Sequence, residues 1–147
     1  MKKTIISISI IAVCIMAFFM TSSFKTISSA SISKAPALDG AGSVRIFGTY
    51  DHVIGSTYYG TVVASGAINA TGTYVMPAEV LGNALHCIFE LTFSTGTITI
   101  RMNCNMVTLN GRWQILSGTG AYQNLKGGGS LTMPGDDEEL TGFVWGN

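Results

Sequence analysis

The sequence predicts an all-β fold, an antiparallel β-barrel of about eight strands, and three observations carry that expectation. First, all 18 glycines lie after residue 30, among many Thr, Val, Ile and aromatic residues, while Lys, Glu, Gln and Arg are scarce. That composition suits pleated strands and tight turns better than helices. Second, apolar and polar residues alternate over short segments separated by Gly, Pro and Asp, the period of strands with one buried face. Third, the stretch from His86 to Asn105 reads as a β-hairpin with two coherent faces. An up-and-down chain of this kind hides its edges by closing on itself. Interior bends at Gly48, Gly60, Gly66 and Gly111 favour that closure over the alternative, a two-sheet β-sandwich.

Residues 1–30 read as a secretory signal: Lys2-Lys3, an apolar run from Thr4 to Met20, then a Ser-rich exit ending Ser28-Ser29-Ala30. The apolar run is at the short limit for crossing a bilayer, so a membrane role arises only if the signal stays uncleaved. Cys14 is no lipoprotein site, because Val13 precedes it and six apolar residues follow. The expected location is secreted, periplasmic or cell envelope. Losing Lys2, Lys3 and Lys25 leaves five basic against eight acidic side chains, a net charge of −3. Without a basic patch, nucleic-acid binding is not expected. Residues 31–42 form a flexible lead-in containing Pro36, and residues 43–147 form a single domain large enough for one core.

Taken in order, Ser43–Tyr50 alternates Val44, Ile46, Gly48 and Tyr50 against Ser43, Arg45, Phe47 and Thr49, and 51–56 connects it to a strand over 58–69. Thr71–Met76 is a short strand, and Pro77–Gly82 reads as one helical turn with Pro first and Gly just past its end. In the central hairpin, a turn on Thr95-Gly96 pairs Phe93 with Ile98, Leu91 with Ile100, Phe89 with Met102 and Cys87 with Cys104. The other face then sets Glu90 opposite Arg101. With Cα atoms roughly 4.5 Å apart at such a pair, and an oxidising destination, a Cys87–Cys104 disulfide is expected, worth about 3 kcal/mol. Asn110-Gly111 is a strong hairpin signal, yet turning there would pair Thr108 with Trp113 and Val107 with Gln114. A continuous strand over 106–116 instead puts Val107, Leu109, Trp113 and Ile115 on one face. A loop over 118–126, three glycines leading to a strand at 130–133, a turn over 134–137 and a last strand over 139–145 complete the chain.

The segment Trp113–Gly127, through Ile115, Gly118, Thr119, Gly120, Tyr122, Leu125 and Gly127, resembles a motif of the dirigent and allene oxide cyclase-like barrels. The resemblance implies an eight-stranded antiparallel barrel of the calycin sort, often trimeric in its plant members, so that a homo-oligomer is one expectation. It implies that Gly118 and Gly120 permit a positive φ and that Tyr122 and Leu125 plug a barrel end. The polar pocket groups of the plant members have no counterpart that can be placed here residue by residue, and fold alone does not transfer their activity.

The titratable residues suggest no catalytic constellation. His52 beside Asp51 lies on an extended chain where neighbouring side chains point apart, and His86 sits on a surface. Glu90 and Glu79 read as solvated, and Asp136-Asp137-Glu138-Glu139 as an acidic turn that fits no calcium loop. The glycines at 127–129 lack the Lys and helix of a phosphate cradle. No metal or cofactor is expected. Phe89, Met102 and Trp113 are core first, and line an apolar pocket if the barrel is hollow. The expected function is therefore a non-catalytic binding module for an apolar small molecule or a protein partner. The alternatives are a dirigent-like guide or isomerase acting in the barrel, and a self-associating envelope protein.

Overall fold

The computed structural model describes residues 41–146, so the proposed signal and most of the lead-in lie outside the described residues. The chain forms eight strands: β1 (Gly42–Ile54), β2 (Thr57–Gly66), β3 (Ala70–Leu81), β4 (Ala84–Phe93), β5 (Gly96–Asn105), β6 (Asn110–Gly118), β7 (Lys126–Thr132) and β8 (Glu138–Trp145). Each strand pairs antiparallel with the next, and β8 returns to β1, so the sheet is a closed barrel with no free edge. Eight strands leave an interior about wide enough for side chains to fill. Ile46, Phe89, Leu91, Ile98, Ile100 and Leu140 fill it and are fully buried. Each contributes roughly 1.5–3 kcal/mol of apolar burial.

The central hairpin keeps the predicted faces but not the predicted register. Phe93 pairs with Gly96, Leu91 with Ile98, Phe89 with Ile100 and Cys87 with Met102. The turn falls on Ser94-Thr95, a shift of two residues in pairing, and a shift of two leaves every side chain on its own face. Alternation therefore could not tell the two registers apart. Gly96, just after the turn, takes a φ of 149° that disfavours other residues, and it admits a loop: a Cβ there would lie 2.1 Å from the Thr119 carbonyl oxygen. As a result Cys87 and Cys104 are free thiols, two residues out of step on the inner face. Diagonal neighbours of that kind sit about 7–8 Å apart, beyond the reach of an unstrained bridge. Glu90 likewise stands opposite Thr99, and Arg101 opposite Ile88.

Other boundaries also differ. Pro77–Gly82 is no helical turn: β3 runs through it to Leu81. Pro77 is tolerated because it pairs with Thr57, the first residue of β2, and because the ladder to β4 skips from Val75–Glu90 to Ala78–Cys87. β1 also continues through the expected connection to Ile54, with a bulge between Tyr50 and His52. Asn110-Gly111 does lie within a strand, but that strand begins at Asn110, and Met106–Leu109 is the turn. Asn105 makes this turn by accepting hydrogen bonds through Oδ1 from the Val107 and Thr108 amides at 2.9 and 3.1 Å, and Leu109 closes it at φ 52°. The glycines at 127–129 lie inside β7 rather than ahead of it.

At one end of the barrel the loop between β6 and β7 packs inward. Tyr122 and Leu125 are buried, and Tyr122 meets Phe93 edge-on with ring centroids 5.5 Å apart. The Thr95 hydroxyl donates to the Tyr122 hydroxyl at 3.0 Å, and the Ala121 amide donates to the Thr95 carbonyl at 2.9 Å. Thr119 exchanges backbone and side-chain bonds with Thr97. Of the two motif glycines, only Gly120 takes a positive φ, 58°. Gly118 is required instead by contact, since a Cβ there would lie 2.2 Å from the Tyr122 carbonyl oxygen.

Candidate functional site

The opposite end is open. Four short turns surround it, between β1 and β2, β3 and β4, β5 and β6, and β7 and β8. Inside lies a cavity of about 340 Å³, within the range of small-molecule sites. Its wall comprises Tyr50, Tyr58, Met76, Val80, Leu85, Met106, Leu109 and Met133, with Gly135, Asp136 and Glu138 on one side. Strand alternation places them: Tyr58 pairs with Met76 and Val80 with Leu85, so these side chains share the inner face. The Asp137 carboxylate accepts a hydrogen bond from the Tyr50 amide at 3.1 Å, tying the β7–β8 turn to the end of β1. Exposed apolar side chains stand at three of the four connections: Val53 and Ile54 at the end of β1, Val80 and Leu81 at the end of β3, and Met106 and Val107 in the β5–β6 turn.

Glu138 is the buried charged residue of the interior, only 2% exposed, and it forms part of the cavity's floor. It was expected in an acidic surface turn. Instead β8 begins at Glu138, and alternation then turns Glu138, Leu140 and Val144 inward, leaving Glu139 outside to pair with Arg45 at 2.6 Å. That parity was available in the sequence once Leu140 and Val144 were taken as core. Room for the carboxyl comes from Gly48, its partner across the β1–β8 ladder. A Cβ at Gly48 would lie 2.9 Å from Glu138 Oε2, 3.2 Å from Phe89 Cζ and 3.3 Å from Tyr74 Cε1. The Tyr74 and Phe89 rings lie beneath it, centroids 4.6 Å apart.

Burial pushes the Glu138 carboxyl up to about 7; the Tyr74 hydroxyl draws it part of the way back and the Asp137 carboxylate pushes it further up. Tyr74 is raised as well, first by burial and then by Glu138. The Tyr74 hydroxyl and Glu138 Oε2 are both buried side by side, and the hydroxyl is the donor nearest the carboxyl. Cys87, on β4, is pushed up to about 12 by burial and then by Glu138, and burial raises Cys104 too. Both thiols therefore stay protonated and weakly nucleophilic near neutral pH.

The residues singled out from sequence behave differently. Phe89, Met102 and Trp113 face inward, but they are at most 3% exposed and are packed below the cavity rather than lining it. Trp113 donates through Nε1 to the Thr141 carbonyl at 3.1 Å, a structural use of its polar edge. Gly118, Thr119, Gly120, Tyr122 and Gly127 belong to the plugged end and β7, away from the cavity. Glu79 and Glu90 are exposed. Asp51 and His52, expected to point apart, hydrogen-bond at 2.9 Å beside the β1 bulge, and His52 stacks on Tyr59; all of this is at the surface. Among the described residues no group of His, Cys, Asp and Glu is arranged to hold a metal ion. No family model matches the chain, and neither does any curated protein or solved structure.

Proposed function

We propose that this protein is an exported barrel that binds an apolar small molecule in its open end. The observation that carries this reading is the cavity of about 340 Å³, walled by Met76, Leu85, Met106 and Met133 and open between apolar turns. Methionine-rich walls adapt to ligands of varied shape, which suits binding without a fixed reaction geometry. Residues 1–30 are the proposed export signal.

A neutral fluorescent dye, N-phenyl-1-naphthylamine, tests the reading. Saturable binding at one dye per chain is expected, and Val80→Trp abolishes it, since Val80 stands 58% exposed at the mouth and its replacement narrows the mouth without disturbing the core. Absence of binding, or binding indifferent to Val80→Trp, overturns the reading.

Glu138 favours a second reading, a guide or isomerase acting in the cavity, as the dirigent and allene oxide cyclase-like resemblance implies. A carboxyl poised near 7 can give or take a proton at neutral pH. Under this reading a bound ligand is converted by the parent protein and not by Glu138→Gln, as followed by mass spectrometry of the recovered ligand.

A further inference from the structure

We infer that the ligand class is an apolar amine: an alkyl or aryl body against the methionines, with its protonated nitrogen at the Glu138 carboxylate. This rests on the reading of the cavity as a binding site and names what fills it.

Three independent features converge. The charged side chains lining the cavity are both acidic, Asp136 and Glu138, and no Lys or Arg lines it. Glu138 is 2% exposed, and the Tyr74 hydroxyl beside it can supply one hydrogen bond to a carboxylate that accepts about four, so the floor holds a carboxyl with acceptor capacity to spare. At the mouth, Tyr50 and Tyr58 stand with ring centroids 6.1 Å apart and planes inclined at 60°. Two tyrosine rings at a cavity mouth attract an organic cation through their π faces. An apolar wall alone would accept alkanes, alcohols and acids alike. A fatty carboxylate meets repulsion from Asp136 and Glu138, and a neutral alcohol donates one hydrogen bond to the ionised carboxyl but leaves its charge unbalanced.

The groups facing Glu138 are Tyr50 from β1, Tyr74 from β3, Cys87 from β4, and Asp136 and Asp137 from the β7–β8 turn. Tyr74 and Cys87 are both raised and stay neutral in the range of the test. Amine binding therefore strengthens as Glu138 ionises with rising pH, while alcohol binding weakens slightly.

The test titrates the full chain with decylamine, decan-1-ol and decanoic acid by calorimetry at pH 5.5 and pH 8. At pH 8 decylamine is expected to bind about tenfold tighter than decanol, a difference of about 1.4 kcal/mol. At pH 5.5 the advantage shrinks to about twofold or less, and Glu138→Gln brings the decylamine-to-decanol affinity ratio to about one at both pH values. Should Glu138→Gln fail to fold, Tyr58→Leu serves instead, lowering the decylamine-to-decanol affinity ratio at pH 8 by about threefold. Decanol binding with no preference for the amine at pH 8, a tighter decanoic acid, or a pH-dependent preference surviving in Glu138→Gln each overturns the inference. Failure of decanol and decylamine alike overturns the cavity reading beneath it.

Discussion

At the plugged end of the barrel, Tyr122 and Leu125 are buried beneath a loop that Thr95, Thr97 and Thr119 hold by hydrogen bonds. At the open end the connections are short turns, and the corresponding aromatic residue, Tyr58, is 37% exposed beside an empty volume of about 340 Å³. The same pleated wall thus supports a sealed, hydrogen-bonded end and an unsealed, apolar one. A barrel of eight strands is wide enough either to fill with side chains or to leave room for one small molecule, and this one does each at a different end.

The sharpest way to break this contrast is to truncate one aromatic residue at each end. Tyr122→Ala is expected to cost about 3 kcal/mol in denaturant unfolding, because it removes a buried ring and leaves a hole. Tyr58→Ala is expected to cost under about 1 kcal/mol, since its ring is largely solvated or cavity-facing already. Equal losses would mean that the two ends are packed alike.

The next effect belongs to Glu138. Its carboxyl titrates at about 7 in the folded protein against an ordinary 4.5, so folding favours the protonated form. Below 4.5 both states are protonated and there is no penalty. As pH rises from 4.5 through 7 the unfolded chain ionises first, and the folded protein loses stability on the order of 3 kcal/mol before levelling off. Glu138→Gln should lack this slope, exceeding the parent at pH 8 and converging with it at pH 4. Parallel stability curves for the two proteins would contradict the burial of the carboxyl.

A smaller effect is expected from Gly48→Ala. The added methyl meets Glu138 Oε2 at 2.9 Å and two aromatic rings at 3.2 and 3.3 Å, so overpacking costs roughly 1–3 kcal/mol and displaces the carboxyl toward the cavity. Dye affinity should fall in parallel. The smallest effect is that of reductant. With Cys87 and Cys104 free, dithiothreitol leaves the melting temperature unchanged, and alkylation of the unfolded chain labels both. A drop in melting temperature on reduction would restore the bridge that the observed register removes.

Fold class and most inward faces were legible because period-2 alternation is a local signal: Val44, Ile46 and Gly48, or Leu91 and Phe93, announce their side without knowledge of any partner. Pairing was less legible. The Cys87–Met102 register differs from the expected Cys87–Cys104 register by two residues, to which alternation is blind, and the arbiter, the Thr119 loop packed on Gly96, lies over twenty residues away. Pro77 misled for a related reason. Its helix-start appearance is local, while its tolerance in β3 depends on β2 beginning opposite it. The cavity was hidden because it is defined by four turns meeting at one end, and because Glu138 sits in a run of four acidic residues that reads as solvated. Only its parity with Leu140 and Val144 distinguishes it from Glu139.

The β1–β8 ladder joins Gly42 to Val144, bringing both extremities of the folded unit side by side at the plugged end. Strand order around the ring therefore does not depend on where the polypeptide is cut. A circularly permuted gene, with residues 42 and 145 bridged by a short linker and new termini at Gly55-Ser56, should produce the same closed ring with its cavity intact.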